Sequence, residues 1–86
     1  MSVKSKSVVN RVLMKLEANQ YKCALTGWPI TPSEFCIDHI QSVNDGGSDE
    51  PENLQCLHPL ANTAKGTMSN QQFISLCKSV AAHASQ

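Results

Sequence analysis

Val8, Val12 and Leu16 recur at every fourth position, with Val9 and Leu13 beside them. That spacing puts an apolar stripe on one helical face and predicts an amphipathic helix over about Ser7 to Asn19. Ser7 suits the N-cap, and Asn19 tolerates the left-handed backbone that ends a helix. Tyr21 to Leu25 reads as a short strand closed by the turn Thr26-Gly27-Trp28-Pro29. Thr31 to Glu34 reads as a single capped turn, with Glu34 completing a capping box. Phe35 to Ile40 mixes aromatic and β-branched residues between turn signals, which predicts a strand. Gln41 to Asn53 is a polar loop containing Gly46-Gly47 and Pro51, after which Leu54 to Leu57 can pair back as a second strand. Pro59 and Gly66 frame a helix over Pro59 to Lys65, since proline favours the first helical position and glycine the exit. Ser69 and Gln72 mark the start of a last helix, whose apolar face is expected to bury Phe73, Leu76, Cys77 and Val80.

This order of elements predicts an α+β fold with helices at both ends. The 86 residues allow one domain, expected to span 1–86 as a basic N-terminal helix (1–20), a core (21–66) and a C-terminal helix (67–86). The longest apolar run is three residues, as in Val12-Leu13-Met14. A membrane helix needs about 20, so no membrane association is expected. The N-terminal stretch carries Lys4, Lys6, Arg11 and Lys15 without an apolar block, which argues against a secretory leader. A soluble, cytoplasmic protein is the resulting expectation. Oligomeric state is left open.

The four cysteines, at 23, 36, 56 and 77, form no C-x-x-C pair. Neither a four-cysteine zinc site nor a redox motif can be written from them, and buried free thiols are the better reading. The formal charge of zero hides a segregation. Residues 1–22 carry +4, residues 23–52 carry −6 with no base, and residues 53–86 carry +2. Basic ends around an acidic middle point to a polyanion-facing surface, with Lys4, Lys6, Arg11 and Lys15 as candidate nucleic-acid contacts. A solvated basic helix face gives the same pattern.

The candidate chemistry lies in Asp38-His39 at a strand end, Asn53 where the loop enters the next strand, and Asn62 and Lys65 on the following helix. A carboxylate and an amide oxygen are hard ligands suited to magnesium or manganese. An imidazole with an ordinary pKa of about 6.5 can take a proton from water near neutrality. Lys65, three positions beyond Asn62, shares its helix face and can approach a phosphate. Together such groups could hydrolyse a phosphodiester. Each residue alone is commonplace; the combination is not.

Asp38-His39-Ile40, Gly46-Gly47, Asn53-Leu54-Gln55 and Asn62-x-x-Lys65-Gly66, in that order, resemble the motif of the HNH endonucleases. His39 to Asn53 is 14 residues and Asn53 to Asn62 is nine, both usual for that family. The resemblance runs from about Tyr21 to Val80, and Cys23-Ala-Leu-Thr-Gly-Trp with Lys65-Gly-Thr-Met-Ser is similar to small phage-type members. It implies a ββα-metal fold holding one divalent cation, magnesium or manganese first, with zinc or nickel as other options. Carried over by position, His39 is the general base, Asp38 and Asn62 are metal ligands, and Asn53 braces the loop and orients His39. His58 is either a third ligand, as in colicin-like members, or a structural residue at the helix start. Consecutive strand residues face opposite ways, so Asp38 and His39 can share a site only where the strand twists.

Many HNH proteins carry two C-x-x-C pairs around a structural zinc. The corresponding positions here are Cys23, Thr26, His58 and Ala61, of which Thr26 and Ala61 are not usable ligands. No structural zinc is expected; the remaining option is an irregular site from Cys23, His58, Cys36 and Cys56. Apolar packing by the flanking helices is expected to take its place. The resemblance implies a DNA endonuclease that nicks or cuts both strands and leaves a 5′-phosphate. Its rivals are a non-catalytic HNH-fold nucleic-acid-binding module and an RNA nuclease.

Overall fold

The computed structural model of the protein describes residues 6–86. Its elements are α1 (Lys6–Ala18), β1 (Cys36–His39), β2 (Leu54–Leu57), α2 (Pro59–Lys65) and α3 (Asn70–Ala84). Single 3-10 turns, Val43–Asp45 and Pro51–Asn53, interrupt the loop between the strands. The strands pair antiparallel in the register Cys36 with Leu57, Ile37 with Cys56, Asp38 with Gln55, and His39 with Leu54. This is the expected α+β arrangement: a two-stranded ribbon and a short helix, with longer helices at either end.

The core forms where α1 lies on β2. Val12 and Leu16, four residues apart on one helix face, are buried against Leu54, Leu57 and Cys56, with Cys23, Ile30 and Ala61 closing the cluster. Each large aliphatic side chain removed from water contributes about 1.5–3 kcal/mol, so this small cluster carries most of the apolar stabilisation. Val8 packs at its edge, whereas Leu13 and Met14 are exposed. α1 stops at Ala18, one residue before its expected end. The left-handed backbone falls on Gln20 (φ 59°) and Tyr21 (φ 57°) rather than on Asn19.

Three sequence expectations change. Tyr21 to Leu25 forms no strand, only an isolated bridge between Lys22 and Pro29, with Cys23 N–H donating to the Trp28 carbonyl at 2.7 Å. Thr31 to Glu34 is a bare turn, closed by Glu34 N–H on the Thr31 carbonyl without a capping box. The third concerns α3. Its start is capped as expected, with Ser69 N–H donating to Gln72 Oε1 at 3.0 Å. Yet the helix buries no residue: Leu76 is 48% and Val80 60% exposed, and Phe73 is only half-buried. An open apolar groove of about 520 Å³ separates its face from Trp28, Leu25 and the exposed side of α2. Helical periodicity reports that a face is apolar; a neighbour must still arrive to cover it.

Candidate functional site

β1 ends at His39 and the chain bends at Ile40. At that bend Asp38 and His39 line the same open cavity of about 220 Å³, with Ser42, Val43 and Asn44 from the loop and Lys65 to Met68 from the end of α2. The alternation of strand side chains is thus overcome at the strand terminus, as a shared site requires.

Asp38 is held by two donors, both on Oδ2. Lys65 Nζ donates to its Oδ2 at 2.5 Å, and Gln55, its cross-strand partner, donates through Nε2 at 3.3 Å. Gln55 is itself fixed by a reciprocal pair of hydrogen bonds with Asn70 at the head of α3 (2.6 and 2.9 Å). Asp38 Oδ1 carries no hydrogen bond among the described residues. The sequence reading of Lys65 as a phosphate contact is corrected here. Its side chain is 1% exposed, and its ammonium also bonds the His39 carbonyl at 2.7 Å. A buried ammonium needs partners, and this one finds two inside the fold.

His39 Nε2 lies 2.6 Å from Asp49 Oδ1, and its Nδ1 carries no hydrogen bond among the described residues. Asn53 braces the loop, and its side chain makes no hydrogen bond to His39 among the described residues. Its Oδ1 accepts from Gln41 N–H, and its Nδ2 donates to the carbonyls of Gln41 and Ser48, all within 2.8–2.9 Å. Gly47 is required beside this brace, because a Cβ there would collide with the Gln41 carbonyl and come 2.8 Å from Asn53 Nδ2. Ser69 Oγ ties the other side of the loop, accepting from Ser42 N–H and donating to Asp45.

Asn62 sits half-buried on α2, and its side-chain amide makes no hydrogen bond among the described residues. His58 does not line the cavity. Its Nδ1 accepts from Leu60 N–H at 3.0 Å as the N-cap of α2, and its ring packs edge-on against Trp28 at 5.3 Å. Of the two sequence readings of His58, this geometry matches the structural one. Beside it, Cys23 is buried with a free thiol. Burial pushes that thiol up, but hydrogen bonds from Thr26 and from the backbone of His58, Thr26 and Leu25 outweigh it and bring it below the ordinary 9.0. Cys23 thus sits among several hydrogen-bond donors.

No group of three or more His, Cys, Asp or Glu side chains converges among the described residues. Among the described residues the carboxylate Oδ1 of Asp38 and the amide oxygen of Asn62 carry no hydrogen bond, and of the two residues only Asp38 lines the cavity. These are hard, oxygen-based ligands, and their chemistry fits a magnesium-like cation that keeps several waters and shares substrate phosphates.

The basic N-terminal residues divide. Lys4 lies outside the described residues, and Lys6 is exposed on α1. Arg11 pairs with Glu52 at 3.2 Å, both side chains more than half exposed. Lys15 is corrected more firmly: its Nζ donates to the carbonyls of Pro51 (2.5 Å) and Leu54 (2.9 Å), so it clamps α1 to the start of β2. Sequence reading also missed Asp49, Gln55 and Asn70. Asp49 is one of six acids in residues 23–52, and nothing local separates it from the others. No described helix is long and apolar enough to cross a membrane.

Comparison with known proteins agrees with this geometry. The sequence model of the HNH endonuclease family matches residues 22–68, which hold β1, the braced loop, β2 and α2. No curated protein matches the chain.

Proposed function

Because the chain belongs to the HNH endonuclease family, we propose that it is a metal-dependent endonuclease that hydrolyses DNA phosphodiester bonds with His39 as general base. One observation carries this reading: Asp38 and His39 line one open cavity, and among the described residues nothing bonds Asp38 Oδ1 or His39 Nδ1. Nδ1 takes a proton from water, the water oxygen bonds to phosphorus, and the bond to the 3′-oxygen breaks; that oxygen keeps the bonding pair and takes a proton from solvent, giving a 3′-hydroxyl and a 5′-phosphate. Asp38 and Asn62 would hold a divalent cation, magnesium or manganese first. When bound, it supplies positive charge to the phosphoryl oxygens and the departing oxygen.

With a single carboxylate already half-neutralised by Lys65, the protein alone offers a weak cation site. Substrate phosphate completes it, so cation and DNA bind cooperatively. Contacts to DNA are mainly to its backbone and salt-sensitive, with exposed Lys6 and the Arg11 guanidinium as contributors beside Lys4.

Supercoiled plasmid incubated with the protein and magnesium or manganese tests this. Nicked or linear product is expected with cation, none with EDTA, and little with His39→Ala. Cleavage by His39→Ala at the wild-type rate would overturn the assignment. The same assay on RNA separates an RNA nuclease. The Asp38–Lys65 ion pair, which balances the carboxylate without any metal, is the observation favouring a non-catalytic binding module. That reading predicts salt-sensitive DNA binding and intact plasmid under every cation.

A further inference from the structure

The polar loop brings Asp49 to His39, and the two are ten residues apart in the chain. We infer that Asp49 is a positioning residue for the reaction: it holds the His39 ring through Nε2–H and so presents the Nδ1 lone pair to water. The inference rests on the reading of His39 as general base.

A carboxylate accepts hydrogen bonds and cannot donate them. With Oδ1 at 2.6 Å from Nε2, the proton of the neutral ring therefore sits on Nε2, and the lone pair sits on Nδ1. Nδ1 is the ring nitrogen with no hydrogen bond among the described residues, and His39 lines the open cavity. The ring is thus held in the one tautomer that can act as a base at that opening. When Nδ1 accepts the proton from water, the ring becomes cationic and the Asp49 carboxylate beside it stabilises that charge. The same division of labour between an acid and a histidine recurs on unrelated hydrolytic folds.

The loop is built to keep Asp49 in place. Asn53 Nδ2 donates to the carbonyl of Ser48, the residue before Asp49, and Glu50 N–H, the residue after it, donates to Ser48 Oγ at 3.2 Å. Asn53 therefore acts on His39 at a distance, through Ser48 and Asp49. This gives the middle asparagine of the motif a physical task without a hydrogen bond of its own to the histidine among the described residues.

The test uses the full chain and compares Asp49→Ala, Asp49→Asn and Asp49→Glu with His39→Ala. In the wild type, an imidazole N–H bound to a carboxylate gives a slowly exchanging, downfield proton resonance, assignable to His39 by its loss in His39→Ala. Asp49→Ala and Asp49→Asn should lose or shift that resonance without substrate present. Their cleavage rate at saturating DNA should fall by at least roughly 10–100-fold, the loss that follows removal of the outer hydrogen-bond partner of a metal-ligating histidine. DNA affinity and the cation concentration for half-maximal rate should stay at wild-type values, and Asp49→Glu should recover part of the rate. Asp49→Asn keeps the shape of the side chain, so it reports even where Asp49→Ala loosens the loop. If His39→Ala is inactive while Asp49→Ala and Asp49→Asn cleave at the wild-type rate, the positioning role is overturned and the base assignment stands. If His39→Ala is itself active, the base assignment fails and Asp49 has no base to position.

Discussion

Lys65 Nζ and Asp38 Oδ2 meet at 2.5 Å where the end of α2 reaches the end of β1, and the lysine side chain is 1% exposed. The fold thus carries an internal cation beside the carboxylate proposed here as a metal ligand. A buried pair of this kind is costly to split, because the remaining charge keeps its desolvation penalty without its partner.

Lys65→Met should therefore destabilise the protein by about 3 kcal/mol or more, measured by urea unfolding. Adding Asp38→Asn should recover a substantial part of that loss. A double variant no more stable than Lys65→Met would show that the ion pair is not what the lysine supplies.

Lys15 and Lys6 separate two uses of a basic helix. Lys15→Gln loses charged hydrogen bonds to the carbonyls of Pro51 and Leu54 and should cost roughly 1–3 kcal/mol. Its effect on the salt dependence of DNA binding should be small. Lys6→Gln should do the opposite: unchanged stability, and a salt slope lower by about one if it contacts a phosphate. Titrations over a range of salt, beside melting curves, read both.

His58→Ala removes the N-cap of α2 and the edge-on contact with Trp28. A loss of roughly 1–2 kcal/mol is expected, with cation affinity measured by calorimetry unchanged. His58→Asn, which can still cap, should restore much of the stability. A clear fall in cation affinity in either variant would return His58 to the metal site.

Cys23 gives a dependence on pH. Its thiol titrates below the ordinary 9.0, so between the folded and unfolded values the folded chain has lost a proton that the unfolded chain retains. Stability from this group therefore rises with pH through that window, is complete above 9.0, and is lost as pH falls through the folded value. The stability advantage of wild type over Cys23→Ala should grow from pH 7 towards pH 9. Burial raises the Cys56 thiol, an effect eased by Lys15, so its opposite contribution begins only near and above 9.0. A constant difference between the two proteins across pH 7–9 would remove the thiolate from the account.

The helices, the ribbon and the order of the motif residues were legible in the chain because each depends on neighbours close in sequence. Val12 and Leu16 share a face by helical geometry, Pro59 and Gly66 bound α2 by their backbone preferences, and Ser69 with Gln72 caps α3 within one turn. The spacing of Asp38, His39, Asn53 and Asn62 identified the family for the same reason: a motif is local order repeated. What pairs with what across the fold was not legible. Lys65 could face solvent or a carboxylate 27 residues earlier, and only the docking of α2 against β1 chose the carboxylate. Lys15 looked like a phosphate contact until the turn at Pro51 came within its reach. Asp49 became the partner of His39 because Asn53 and Gly47 fold the loop back, whereas its sequence context matches that of five other acids. The apolar side of α3 was correctly read and its burial was not, because periodicity is a property of one helix and burial requires two surfaces. Sequence determined which groups this protein possesses and where most elements begin; long-range closure decided which charges neutralise one another and which oxygen of Asp38 and which nitrogen of His39 are taken up by partners.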